Sequence, residues 1–452
     1  MKRYGIVLGA GMGTRMKSEI PKVLHEVMGK AMIEHVISAL EGANAQQTVV
    51  VVGHKAELVE ARLGDRVKYA KQTEQLGTAH AVMMTNNELA GLTGVTMVTY
   101  GDDPLLTTKI LEELFTTHET SGAKMTMLTN VVANPFGLGR IIRDTSGNVV
   151  KIVEQKDAND EELAVTEINT GVACYDNEIL FEALKLVGNE NAQGEYYLTD
   201  LVEIIKNMGH RVEAVVKVNN EGALGVNDRI QLANNARIMR EKINQKHMEN
   251  GVTFVDPTTT YIEPTVKIAT DVVIEPNVYL KGNTTIETGV FIGTGTHLTN
   301  VKIGKDTQIF ASYIFDSEIS SAVMIGPFAH IREQAIIGEN SRIGNFVEIK
   351  KSTLATGVKA AHLSYMGDAE IGSETNISCG VITANYDGKN KYKTVIGKNV
   401  MVGSNVNLIA PVTISDGAYL AAGSTINKDV PAEAMAIARS KQENKEGYAK
   451  KL

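Results

Sequence analysis

The sequence predicts a two-part chain. An α/β domain with a mostly parallel sheet comes first, then one long helix, then a parallel β-helix of six-residue repeats. Three observations carry this. Up to about residue 227, short β-branched runs alternate with helical stripes. Residues 228–250 then keep a single helical pattern. Beyond residue 251, aliphatics recur every six positions, a period no α-helix supports.

In the first part, Ile6, Val7 and Leu8 read as a short buried strand followed by Gly9, Gly11 and Gly13. Ile33, Val36, Ile37 and Leu40 share one helical face. Residues 48–52 form a continuous β-branched run and 95–100 another, as expected of strands buried on both faces. In open α/β sheets, ligands gather outside the carboxyl ends of the strands. The glycine stretch follows one strand, and Gly101-Asp102 follows another. Backbone N–H groups with Arg15 and Lys22 in one loop suit a phosphate chain. The loop is no Walker motif, since Gly-Lys-Ser/Thr is missing. Nor is it a dinucleotide fingerprint, since Thr14 stands where the third glycine belongs.

The long helix is bounded by Asp228 and Gln231, spaced as a capping box, and by Gly251. Its few apolar positions, Ile230, Ala233, Ile238 and Ile243, suit a solvated linker. The six-residue spacing joins Ile268, Ile274, Leu280, Ile286, Ile292 and Leu298. It returns from Ile325 to Ile349 and from Ile396 to Ile426. Such a solenoid gains a core only by stacking its coils. The repeat breaks between Ile377 and Ile396 at a polar, lysine-bearing loop, and long loops in compact domains are usually functional or disordered. Before it, AHLSYMGD holds His362 and Tyr365. Arg332, Lys350 and Asn376 can hold a phosphorylated sugar, and His362 can take a proton.

Composition narrows the function. The 452 residues are 43% hydrophobic and 22% charged, ordinary for a globular protein. A net charge of -8, no basic run, no Trp and 5% aromatics argue against nucleic-acid binding. Cys174 and Cys379 are too few for a zinc site or disulfide framework and read as buried thiols. The apolar run after Lys2 and Arg3 stops at the glycines, too short for a signal peptide of ~7–15 apolar residues. No stretch reaches the ~18 apolar residues of a membrane span. A cytoplasmic setting without membrane insertion is expected.

Residues 8–22, LGAGMGTRMKSEIPK, closely resemble the signature L-x-x-G-x-G-T-R-M…P-K of sugar-phosphate nucleotidyltransferases. The resemblance implies a Rossmann-like nucleotidyltransferase domain. In it, Leu8, Gly9, Ala10 and Gly11 hold the nucleotide, Arg15 stabilises phosphate charge and Lys22 binds near the reacting phosphate. QTEQLGTAH resembles the family segment whose Gln72, Gly77 and Thr78 contact uracil. YGDDPLL matches G-D-x-P-L, which makes Asp102 a Mg²⁺ ligand, and Asn227 in GVND is the second. FGLGRI places Gly139 near the nucleotide sugar, while IVEQKD and EINTG supply Glu154 and Asn169, which in that family hydrogen-bond the amino sugar. QGEYYLTD is also familial, with no role assigned.

The second half resembles left-handed parallel β-helix acyltransferases, which are trimers with active sites between subunits. Together, the halves resemble a family that joins N-acetylglucosamine-1-phosphate uridylyltransferase to glucosamine-1-phosphate acetyltransferase. That implies divisions at 1–227, 228–250 and 251–452, UTP and acetyl-CoA as co-substrates, Mg²⁺ and a homotrimer. Arg332, Lys350, Tyr365 and Asn376 would hold the sugar phosphate, with His362 as base. Cys379, Asn385, Tyr386, Ser404, Ala422 and Arg439 would line acetyl-CoA. Gly9, Met12, Asp103, Ala361, Cys379 and Val381 depart from the usual pattern, and Met12 costs the first loop one phosphate cation. Two other readings use the same residues. One is a nucleotidyltransferase for another hexose 1-phosphate with a regulatory solenoid. The other is a solenoid serving only as a trimerising scaffold. EINTG and IVEQKD favour an N-acetyl sugar, and AHLSY favours a catalytic solenoid.

Overall fold

The computed structural model describes residues 1–218 and 225–451. It forms two compact units, Met1–Met239 and Arg240–Leu452.

The first unit is built on a nine-stranded sheet. Its main path runs Val212–Val218, Met125–Val131, Glu167–Asp176, Val95–Tyr100, Arg3–Leu8, Gln47–Val52 and Lys68–Lys71. The valines at 49–52 are 0% exposed, because helices cover both faces. Ile33, Val36, Ile37 and Leu40 on Met32–Gly42 are buried together with Val50 and Val52, while Val49 and Val51 face the opposite side. Leu40→Ala would cost about 2–5 kcal/mol by the usual core truncation.

The main path is mostly parallel as expected, with one strand reversed and an antiparallel pair off the path. Glu167–Asp176 runs antiparallel to both neighbours, and Arg140–Arg143 pairs antiparallel with Val149–Val153. A strand buried on both faces carries the same apolar run in either direction, so the pattern is silent on polarity. The register of Glu167–Asp176 breaks between Asn169 and Ala173. There Gly171 takes φ +79, and a Cβ on it would lie 2.0 Å from the Tyr100 ring.

The long helix is Arg229–Glu249. Asp228 Oδ1 accepts from Gln231 N at 2.8 Å, as a cap should. Gln231 Oε1 turns back one residue further than a capping box requires, accepting from Asn227 N at 2.6 Å. The solvated-linker expectation is corrected. Leu232, Ala236 and Met239 pack on Met16, Val27, Met32 and Val226 in the first unit. In the second unit, Ile243 packs on the solenoid core and Asn244 Nδ2 donates to Pro257 O and Thr260 O. The helix has few apolar residues because it buries only short stretches, and Ile230 stays 81% exposed.

The second unit is one 26-stranded parallel β-helix. Ile274, Leu280, Ile292, Leu298, Ile325, Ile331 and Ile337 are all 0% exposed, so the six-residue aliphatics fill its core. Strands stack coil on coil into three ladders. The first runs Tyr279, His297, Tyr313, His330, Glu348, Tyr365 and Ile382. The second runs Ile336, Thr353, Glu370 and Val395. The third runs Met324, Arg342, Lys359, Asn376 and Met401. The interruption is narrower than expected. Ile382–Ala384 stays in the first ladder, and Thr394–Ile396 resumes the second. The residues between form a turn closed by a Tyr386–Lys391 bridge and by Tyr392 N donating to Asn385 O.

Candidate active sites

At the carboxyl edge of the first sheet lies a cleft of about 290 Å³. Nine of the residues expected there line it: Leu8, Gly9, Ala10, Gly11, Lys22, Gln72, Gly77, Thr78 and Asp102. Strand Arg3–Leu8 delivers the glycine stretch, and Gly9 N is spent on Val51 O at 2.9 Å, so Gly9 lends shape and not a donor. Gly13 sits at φ +60, and a Cβ there would meet Lys22 Cβ at 2.8 Å. The glycine therefore lets the two ends of the loop close on each other. Gly77, at φ +114, would meet Tyr196 O at 2.5 Å if it carried a Cβ. Gln72 is buried, and its Nε2 lies 3.1 Å from both Gly77 O and His80 Nδ1.

The charged groups converge on one point. Lys22 Nζ pairs with the Asp102 carboxylate and lies 3.2 Å from Asn227 Oδ1. Arg15 Nη2 donates to the same Asn227 oxygen at 2.8 Å. Val226 N donates to Asp102 O at 2.8 Å, which ties the two segments together. One cationic nitrogen thus sits between the two oxygens expected to hold Mg²⁺, so the donor set fits a hard divalent ion. Among the described residues no group of three or more His, Cys, Asp or Glu could hold a metal. Asp103, the departure from the family pattern, is buried.

Next to the cleft, Gly139, Glu154 and Asn169 come together. Asn169 N donates to Gly139 O at 2.9 Å, and a Cβ on Gly139 would lie 3.4 Å from Glu154 Oε1. Thr199 Oγ1 donates to Glu154 Oε1 at 3.3 Å. Burial raises the Glu154 carboxyl above its ordinary value. Burial, with the Glu154 and Asp102 carboxylates adding to it, raises the Tyr100 phenol. Gln75, Tyr100 and Glu195 line the cleft without having been singled out in the sequence. Glu195 and Thr199 belong to QGEYYLTD, the segment left without a role.

In the solenoid, Arg332, Lys350 and Tyr365 fall on neighbouring coils of the first ladder. Glu348 Oε1 accepts from Arg332 Nη2 at 2.6 Å, and that contact raises the guanidinium's pKa. Glu333 lies 3.4 Å from Lys350 Nζ. Lys391, from the inserted turn, reaches Lys350, and the neighbouring ammonium pushes its pKa down. Three cations in one cluster suit a phosphate dianion. Asn385 Nδ2 donates to Asp368 Oδ2 at 2.5 Å and lies with the Tyr365 hydroxyl over Gly367. His362 stands on the corner beside this cluster, exposed, with Nδ1 3.3 Å from Asn345 Oδ1. In the tautomer whose Nδ1–H donates to Asn345, Nε2 keeps the free lone pair.

Not every expected residue joins that cluster. His362, Cys379, Ser404 and Ala422 succeed one another down one corner. Gly380 N, Asn405 N and Gly423 N donate to Leu363 O, Cys379 O and Ser404 O, each of the preceding coil. Coils step by about 4.8 Å, so the row suits an extended ligand. Arg439 lies near Gly423 at the end of the row. Asn376 belongs to the third ladder, where its Nδ2 meets Ser378 Oγ and Met401 Sδ. A single chain therefore keeps Asn376 on a different face from Arg332, Lys350 and Tyr365. Tyr386 sits in the inserted turn, 59% exposed. Cys379 is exposed, which corrects the expectation that both thiols are buried, while Cys174 is buried as expected.

A cation-bearing cleft at a sheet edge and a polar corner of a parallel β-helix fit a two-part transferase. A family model described as Nucleotidyl transferase matches residues 4–223, and one described as Bacterial transferase hexapeptide (six repeats) matches 316–351 and 393–428. The chain is 52% identical over 451 residues to the Bifunctional protein GlmU of an Exiguobacterium species, covering 100% of each. It is 52% identical to that of Listeria monocytogenes, covering 100% of this chain and 99% of the relative. It is 50% identical over 449 residues to that of Halalkalibacterium halodurans, covering 99% of each. The chain belongs to the GlmU family of bifunctional transferases. Among the described residues no helix is long and apolar enough to cross a membrane.

Proposed function

We infer that the protein runs two transfers in sequence. In the second unit, the amine of glucosamine 1-phosphate attacks acetyl-CoA. In the first, the phosphate of the acetylated sugar attacks the α-phosphate of UTP, giving UDP-N-acetylglucosamine and pyrophosphate. The observation that carries this is the convergence of Arg15, Lys22, Asp102 and Asn227 at the mouth of a cleft lined by the expected nucleotide contacts. Phosphoryl-type transfer needs little covalent help, so positioning and charge stabilisation dominate.

Each group has a part. Gln72, Gly77 and Thr78 hold the base, and Gly139, Glu154 and Asn169 the amino sugar. Arg15 and Lys22 neutralise phosphate charge. Asp102 and Asn227 would hold Mg²⁺, which supplies charge neutralisation at the triphosphate. In the solenoid, Arg332, Lys350 and Lys391 hold the sugar phosphate while His362 Nε2 takes the proton the amine sheds. A homotrimer completes this second site. The separation of Asn376 from Arg332, Lys350 and Tyr365 by one face supports a site shared between subunits.

The test offers UTP and Mg²⁺ with either N-acetylglucosamine 1-phosphate or glucose 1-phosphate, and acetyl-CoA with glucosamine 1-phosphate. Pyrophosphate from the acetylated sugar and free thiol from the amine are expected. Preference for glucose 1-phosphate with no thiol release would favour the regulatory-solenoid reading instead.

A further inference from the structure

Among the described residues Arg140 is the largest fully buried side chain, 2% exposed, and neither transfer uses it directly. Arginine is almost never fully buried without a partner acid. Here its Nη1 donates to Leu138 O and its Nη2 to Gln155 Oε1 at 2.9 Å, a carbonyl and an amide. Its Nε is buried without a hydrogen-bond partner. Gln155 Oε1 also accepts from Gly137 N at 2.9 Å. The guanidinium and the amide together therefore grip residues 137 and 138 from below.

The gripped loop has little else to hold it. Phe136 at its tip is 80% exposed. The backbone of Arg140 is paired with Val153 on one side and Ile168 on the other. Those two residues immediately precede Glu154 and Asn169. Gly139, between the loop and Arg140, accepts from Asn169 N and borders Glu154. An error in the loop is passed directly to the amino-sugar contacts, whereas Gln72, Gly77 and Thr78 stand on other elements.

We propose that Arg140 and Gln155 form a clamp that fixes residues 136–139 against Glu154 and Asn169. Arg140 is thus a positioning residue that sets affinity for the sugar phosphate and not for UTP. This rests on the assignment of Glu154 and Asn169 to the amino sugar. A buried cation without a carboxylate is costly. A misplacement of about 1 Å in a reacting site can cost ~10²-fold, so the clamp has a kinetic reason to persist.

The test measures KM for N-acetylglucosamine 1-phosphate and for UTP separately, by pyrophosphate release from the full-length protein. Gln155→Leu should raise the sugar-phosphate KM by about 10-fold or more while the UTP KM moves less than about twofold. Gln155→Glu keeps an acceptor in place, gives the guanidinium a carboxylate, and should recover most of the lost affinity. Arg140→Lys reaches one acceptor and should fall between. A sugar-phosphate KM unchanged in Gln155→Leu, or a parallel rise in both KM values, would overturn the clamp. If Gln155→Leu does not fold, Arg140→Lys decides, and an unchanged sugar-phosphate KM in it overturns the clamp equally. In Glu154→Gln, an unmoved sugar-phosphate KM would instead remove the assignment on which the clamp rests.

Discussion

Lys22 Nζ lies 3.2 Å from Asn227 Oδ1 while paired with the Asp102 carboxylate. A lysine thus marks the point where two oxygen donors, from two segments joined by the Val226 N to Asp102 O hydrogen bond, can meet a cation. Removing the Asp102 charge should leave the fold intact and strip the site of its anionic donor. Asp102→Asn is expected to cut pyrophosphate release by at least ~100-fold and to leave thiol release unchanged. Parental pyrophosphate release at low Mg²⁺ would contradict the assignment.

Gly13→Ala tests the loop that positions Lys22. The new methyl would sit 2.8 Å from Lys22 Cβ at a φ of +60. Both the clash and the left-handed backbone disfavour it. Pyrophosphate release should fall by about 10–100-fold with a smaller loss of stability, because only the loop need move. A full rate with an unshifted UTP KM would show that the loop tolerates the change.

Glu154 gives a prediction in pH. Burial raises its folded-state pKa above the unfolded value. The native state then binds more protons than the unfolded state in the window between the two values, so stability falls as pH rises through that window. Glu154→Gln removes the term. The variant should melt higher than its parent at neutral pH, lose part of the parent's stability decline between mildly acid and neutral pH, and bind the sugar phosphate more weakly. A lower melting temperature at neutral pH would reverse the sign and refute the burial argument.

His362 and Asn345 face each other across adjacent coils at 3.3 Å. A positioned general base contributes roughly 10²–10⁴-fold, so His362→Ala should cut thiol release by at least ~100-fold without touching uridylyl transfer or melting. Asn345→Leu removes the group that orients the ring and should cost less, on the order of 10-fold. Near-normal thiol release in His362→Ala would transfer the role to Tyr365 or to water.

The shared-site reading predicts complementation. Lys350 and Asn376 stand on different ladders. Lys350→Ala and Asn376→Ala chains, each poor in thiol release alone, should regain a fraction of activity when unfolded together and refolded. No recovery in demonstrably mixed oligomers would confine each site to one chain.

Much of this architecture was legible because the sequence repeats its instructions. The six-residue aliphatics could only be satisfied by stacked coils, and all but Ile268 are buried. The nucleotide cleft was legible because its residues lie in short contiguous segments at strand ends. Direction was not legible at Glu167–Asp176, where burial on both faces removes any pattern. Tyr100 was missed because it ends a core-like strand. Asn345 and Glu348 were missed because the coil register, not the local sequence, brings them to His362 and Tyr365, and Lys391 because it sits in the inserted turn. Counting one coil back from His362 would have reached Asn345.

The most direct test of two coupled transfers follows free thiol and pyrophosphate together, from glucosamine 1-phosphate, acetyl-CoA, UTP and Mg²⁺. Thiol release should come first and need no UTP. Omitting acetyl-CoA should silence both signals, and N-acetylglucosamine 1-phosphate should then restore pyrophosphate alone. Pyrophosphate formed at full rate from unacetylated glucosamine 1-phosphate, or an absence of thiol release, would contradict the account.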